Sequence, residues 1–170
     1  MNTGFSYKNT GWFVTLAAIC VIVFLLSACA TSKSVSKSSD FDAIKNRVWK
    51  LAEVKDSLGK LTFESEKLDK EQFGDVYTMQ FDDTFASGKA APNRYNAAYA
   101  LGSGNVISFK PAASTRMLAF KEPEGLREHE FYGLLQKASS WNLIENRLFI
   151  YTRTAENPDL ILVFDEFDYR

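Results

Sequence analysis

Cysteine is nearly absent from this chain, and the place where it is missing carries the most information. Only two occur, Cys20 and Cys29, and every residue after Cys29 is something else. A structural disulfide, a cysteine-based zinc site and a thiol nucleophile are therefore excluded from the folded part. Histidine is as scarce, with His129 standing alone. Neither sign of charge dominates: 20 Lys+Arg face 21 Asp+Glu, a formal net charge of −1. The basic excess on one face that nucleic acid requires is missing. The one lysine cluster, Lys33 and Lys37, lies in a Ser-rich stretch. With 46% hydrophobic and 24% charged residues, the chain is too apolar for wholesale disorder. A length of 170 residues predicts one domain.

What is present begins with an apolar run. Trp12 to Leu26 carries no charge, and only Lys8 precedes it. Its length fits the apolar core of a secretory leader. The run ends in Leu26-Ser27-Ala28-Cys29, which we read as a lipobox. Small residues fit the peptidase pocket before the cut, and the Cys29 thiol accepts the diacylglycerol. Residues 1–28 are then a signal peptide, and Cys29 becomes the lipidated first residue. Ala30, in place of Asp, fits sorting to the outer membrane. The alternative is an uncleaved transmembrane helix, because residues 9–32 contain no charge. Lys33, Lys37, Lys45 and Arg47 follow the run, and the positive-inside tendency would then put the domain in the cytoplasm. Both readings hold the protein at a membrane.

Residues 29–40 read as a flexible Ser/Lys-rich tether, since they cannot bury enough apolar area to order themselves. The folded domain is expected over 41–170. Its pattern is mostly of strands. Arg47–Val54 is a first candidate, and Ser57-Leu58-Gly59-Lys60 a turn. Ser65–Phe73 reads as a short helix with Leu68 and Phe73 as its apolar contacts. Tyr77, Met79 and Phe81 alternate with Thr78 and Gln80, and Tyr95, Ala97, Tyr99 and Leu101 repeat the period of two. Thr84–Lys89, Val106–Phe109 and Ser114–Phe120 add further strands. Glu122–Ser140 reads as the main helix, with Phe131, Leu134, Leu135 and Ala138 as its buried stripe. Trp141–Ile144 and Arg147–Thr152 form a hairpin across Glu145-Asn146, and Leu160–Phe164 closes the domain. The expected class is α+β: a mostly antiparallel β pseudo-barrel of about eight short strands, capped by one main helix.

Several of these residues recur together in a known pattern. Trp49-Lys50-Leu51 opens it, and Gly88-Lys89-Ala90-Ala91-Pro92-Asn93-Arg94-Tyr95 through Tyr99, with Thr115-Arg116-Met117, forms its specific part. Ser114-Thr115-Arg116-Met117, Glu130-Phe131, Leu134-Leu135, Trp141 and Arg147-Leu148-Phe149 follow in order. In this the chain resembles the META domain, also called HslJ-like, of bacterial envelope lipoproteins, over residues 47–164. The resemblance implies a helix-capped pseudo-barrel in a family tied to stress and antibiotic tolerance, without an established reaction. The chain departs from that pattern at Ala91-Pro92-Asn93, where many members have Gly-Cys-Asn. It departs again at Ala119-Phe120, where a second cysteine is usual. Roles that depend on those thiols are absent here.

The candidate binding cluster is Asn93, Arg94, Tyr95 and Tyr99, set against a plainer reading in which Asn93 caps a turn and the tyrosines fill the core. His129 could act as a base beside Glu128 or Glu130, but it lies off the apolar stripe and no serine can be tied to it. Asp82-Asp83 and Asp165-Glu166-Asp168 offer oxygen ligands without a cation-binding loop, and read as a turn and an acidic tail. Gly102 and Gly104 read as a hairpin turn. The expectation is a non-enzymatic, lipid-anchored envelope protein with no metal or cofactor. Its partners are the membrane, through Cys29, and an envelope protein or small ligand. A barrel carrying a small apolar ligand is the alternative.

Overall fold

One strand, β1 (Val48–Asp56), is the axis on which the rest is hung. In the computed structural model the described residues are Met1, 41–71, 73–153 and 159–168. The expected cleavage and lipidation at Cys29, the rest of the expected signal peptide and the expected tether fall on residues 2–40, outside them. All described residues but Met1 belong to the unit Ser36–Arg170. Among them, no helix is long and apolar enough to cross a membrane.

Trp49 and Leu51 point inward by strict alternation, and Val54 follows after three residues rather than two. A bulge between Leu51 and Glu53 makes this possible, since one extra residue returns the side chain to the buried face. One edge of β1 pairs with β10 (Leu160–Glu166). The other pairs first with β3 (Thr78–Phe81) and then with β2 (Leu61–Glu64). Next to β3 come β4 (Phe85–Lys89), β5 (Arg94–Leu101) and β6 (Ile107–Phe109). The two-residue β7 (Ala113–Ser114) also pairs with β5. Beyond β10 lie β9 (Arg147–Thr152) and β8 (Ala138–Ile144). All the ladders are antiparallel.

The sheet therefore has ten strands, not about eight, and it is not a closed barrel. No ladder joins the end strands β6 and β8. They meet at a single bridge, Val106 to Ser140, where the Trp141 N–H donates to the Asn105 carbonyl at 2.8 Å. Curvature brings the two ends together, and one point of contact is all the ladder achieves.

Two small helices lie wholly within the described residues. α1 (Glu66–Lys70) buries Leu68, within the expected 65–73 segment. With β2 it accounts for the long connection over 55–75, which adds Phe63 and Leu68 to the core. α2 (Glu128–Gln136) is half the length expected for Glu122–Ser140. At its start Gly125 takes φ 85, and the Leu126 carbonyl is held by the Tyr77 hydroxyl. At its end Ala138 and Ser140 pair with Thr152 and Tyr151 of β9, so the ladder takes residues that helix periodicity had claimed. Phe131 and Leu135 are buried, and the Glu130 carboxylate accepts the Arg127 N–H at 2.7 Å, one arm of a capping box.

The interior is filled by large side chains. Phe41, Trp49, Tyr77, Phe81, Phe131 and Phe164 are each under 2% exposed. Phe41 packs edge-on against Phe81 and Trp141, with ring centroids 5.2 and 5.1 Å apart. A second aromatic group lies under α2, where Phe131 meets Tyr77 at 5.1 Å and Tyr95 at 5.7 Å. The β8–β9 hairpin turns through Glu145 (φ 50) and Asn146 (φ 64), the backbone of a tight two-residue connection. Ser114–Phe120 is not a strand: only Ala113–Ser114 pairs, and the chain then runs out as a loop.

Candidate functional site

The β3–β4 ladder holds for two residue pairs, Gln80 with Ser87 and Phe81 with Ala86, and then side chains take over. The Thr78 hydroxyl oxygen accepts the Lys89 N–H at 3.1 Å, and the Tyr95 hydroxyl donates to the Thr78 carbonyl at 2.9 Å. Gly88 makes this exchange possible. A Cβ there would lie 1.9 Å from the Thr78 carbonyl oxygen and 3.1 Å from the Tyr95 ring. The glycine and the tyrosine of the Gly88–Tyr95 segment are thus one device, facing each other across β4 and β5. Burial pushes the Tyr95 hydroxyl well above the ordinary phenol range, so it remains a neutral donor.

Outside this point the sheet carries a cleft of about 470 Å³. Thr78 and Tyr95 form its floor, with Asp75, Gln80, Ser87, Lys89 and Arg94 around it. Lys89 is ion-paired with Asp75. Arg94 is exposed and has no carboxylate partner among the described residues.

Asn93, 6% exposed, sits beside the cleft and joins three segments. Its backbone N–H donates to Glu128 Oε1 at 3.0 Å and its Nδ2 to Glu128 Oε2 at 2.7 Å, which ties the turn to the start of α2. Its Oδ1 accepts from the Thr115 hydroxyl at 2.9 Å and from the Met117 N–H at 2.7 Å, which ties down the loop after β7. Asn93 does more than cap its own turn. Sequence could not reveal this, because Glu128 is 35 residues away.

Tyr99 belongs elsewhere. It shares the inward face of β5 with Tyr95, and its hydroxyl donates to the Asp82 carbonyl at 2.6 Å. Its ring meets Phe41 at 5.4 Å and Phe81 at 5.3 Å. The structure brings Asn93, Arg94 and Tyr95 to one end of β5 and leaves Tyr99 near the other. Sequence reasoning missed Asp75 and Glu128 at this site, although Lys89 and Thr115 stood within the quoted segments.

The remaining candidates resolve into structure. His129 is exposed on the first turn of α2. Asp82 closes a turn by accepting the Thr84 and Phe85 N–H groups, each at 2.7 Å, and those bonds hold its carboxyl below the usual range. Asp83 pairs with Lys45 at 3.0 Å. Asp165 and Glu166 are not a tail. They are β10 residues paired with Arg147 (2.6 Å) and Arg47, and the Arg47 guanidinium with Asn146 brings the Glu166 carboxyl down to about 2. Gly102 and Gly104 (φ 69) turn β5 into β6. Among the described residues, no group of three or more His, Cys, Asp or Glu side chains is placed to hold a metal ion.

Comparison with known families matches residues 42–163 to the META domain. The chain belongs to the META domain family. A solved NMR structure of a protein from Burkholderia xenovorans superposes with a TM-score of 0.57 at 21% identity, covering 84% of this chain and 96% of that one. The crystal structure of a DUF4847 family protein from Bacteroides vulgatus superposes with a TM-score of 0.50 at 12% identity, covering 73% and 94%. At such identities the likeness concerns the fold alone. No curated protein matches the chain significantly. In this META domain Gly88, Lys89, Arg94 and Tyr95 of the Gly88–Tyr95 segment line the cleft.

Proposed function

We propose that the chain is a lipid-anchored envelope protein whose META domain is a non-catalytic binding module. Its ligand is an anionic group on an envelope partner, taken at the cleft beside Arg94. The observation that carries the site is the guanidinium of Arg94, exposed at the cleft and without a carboxylate partner among the described residues, while its neighbour Lys89 is neutralised by Asp75. A planar guanidinium offers paired donors to a carboxylate or phosphate. The filled interior favours this reading over a carrier with an apolar ligand inside the sheet. The anchor is supported by Leu26-Ser27-Ala28-Cys29 and the Ser-rich stretch behind it.

Two measurements test the two halves separately. In cells fed a labelled fatty acid, wild-type chain takes up label and Cys29→Ala does not. Equal labelling of the two would refute the anchor. A photo-crosslinker placed at Gln80, on the cleft rim, is expected to yield a discrete adduct that Arg94→Glu abolishes. An adduct that survives Arg94→Glu would refute the site.

A further inference from the structure

Three of the four most exposed large apolar side chains among the described residues of the folded unit stand together, in the loop between β7 and α2. Met117 is 62%, Leu118 93% and Phe120 108% exposed. The loop is built to stay that way. At its near end the Thr115 N–H donates to the Arg94 carbonyl at 3.0 Å, and Asn93 takes both the Thr115 hydroxyl and the Met117 N–H. At its far end Pro123 and Leu126 are buried, and the Tyr77 hydroxyl holds the Leu126 carbonyl. Both ends are pinned to the sheet, so the apolar tip is held out rather than left to fold back. A cation flanks it on each side, Arg116 and Lys121; Lys121 is only 3.7 Å from Glu71 and itself largely exposed. Glu122, just behind, lies 3.8 Å from Arg127.

We propose that Arg116–Lys121 seats the META domain on an anionic lipid surface. Met117, Leu118 and Phe120 enter the boundary between headgroups and acyl chains, while Arg116 and Lys121 pair with lipid phosphates. The shape of the feature selects this occupant. A bilayer deforms around a protruding apolar tip, whereas a protein partner must supply a pocket that fits it. The flanking cations match the charge of anionic headgroups. The chain also keeps a membrane within reach: residues 29–40 link the domain to the apolar run and span at most roughly 40 Å when extended. The proposal takes only this proximity from the anchor reading, and it holds equally for a spanning helix. Three side chains bind weakly alone, and tethering raises their effective concentration at the surface.

The test uses the full chain, produced in a bacterium with its leader and reconstituted into vesicles with or without phosphatidylglycerol. A genetically encoded environment-sensitive fluorophore is placed at position 118. A control is placed at Leu58, which is 90% exposed on the β1–β2 turn. Flotation of the vesicles reports attachment. The fluorophore at 118 is expected to shift to the blue and to lose about threefold in quenching by aqueous iodide, while becoming sensitive to quenchers carried on lipid near the headgroups. The control stays aqueous, and R116E/K121E reverses the change at 118. Vesicles that float while 118 stays as open to iodide as 58 overturn the proposal and leave the anchor standing. A probe shielded from iodide yet untouched by the lipid quenchers overturns it in favour of a protein partner. Chain that does not float overturns the anchor and the seating together.

Discussion

Replacing Asn93 should destabilise this fold strongly, because its one side chain ties its own turn to α2 and to the loop after β7. Asn93→Ala removes one hydrogen bond to a carboxylate, at 2.7 Å from Glu128, and two neutral ones, from Thr115 and Met117. A bond to a charged group contributes about 1.5–3 kcal/mol and a neutral one about 1, giving about 3.5–5 kcal/mol before relaxation. Thr115 is exposed and can turn to water, so we expect about 3 kcal/mol. Urea unfolding of the detergent-solubilised chain, followed by the fluorescence of buried Trp49 and Trp141, should show a midpoint lower by about 1.5 M for a slope near 2 kcal/mol/M. Asn93→Asp sharpens the test. It keeps an acceptor for Thr115 and Met117 but sets a carboxylate against that of Glu128, so at neutral pH it should be less stable than Asn93→Ala. The introduced carboxyl then binds its proton more tightly folded than unfolded. Its contribution therefore improves as pH falls, and the Asp variant should gain on the Ala variant in acid. An Ala variant within about 0.5 kcal/mol of wild type, or an Asp-to-Ala difference that ignores pH, would refute the role given to Asn93.

Three further outcomes follow from the same structure. Gly88→Ala forces a Cβ to within 1.9 Å of the Thr78 carbonyl and displaces the Tyr95 hydroxyl, so it should lose at least about 3 kcal/mol in the same urea titration. Glu145→Asn places a residue that tolerates φ 50 at the β8–β9 turn and should raise stability by about 0.5–1 kcal/mol, read as a higher Tm. The folded Glu166 carboxyl, held at about 2 against an ordinary 4.5 by Arg47 and Asn146, contributes stability that is present above pH 4.5 and lost as pH falls toward 2. Glu166→Gln should remove that part of the acid dependence, and an unchanged acid limb of the stability profile would count against the ion pair.

Periodicity made most of the strands legible. Tyr77–Phe81, Arg147–Thr152 and Leu160–Phe164 were expected from alternation or apolar runs, and β3, β9 and β10 lie there. It failed where a local pattern was outbid by pairing at a distance. Ala138 fits the helical stripe, yet the free edge of β9 takes it as strand. The Ser114–Phe120 stretch has strand-forming residues but no partner for them beyond Tyr95 and Asn96. β2 carries only two alternating apolar residues, Leu61 and Phe63, too short a pattern to read alone, and it pairs with the edge of β1 past the bulge. In the candidate site, the Gly88–Tyr95 segment was recognisable as a string, while the meaning of each residue was not.

The sequence by itself determined the composition of the core, the cysteine-free domain and the family, because these depend on residue type and order alone. It also placed the Leu26-Ser27-Ala28-Cys29 pattern on which the anchor reading rests. Only the tertiary structure decided that Gly88 is there to admit the Thr78 carbonyl, and that Asn93 answers to Glu128. It also decided that Met117, Leu118 and Phe120 face outward rather than in. The reason is the same in each case. Hydrophobic periodicity is a property of neighbours along the chain, whereas a close approach, a hydrogen-bonding partner or an unburied face depends on residues that only folding brings near.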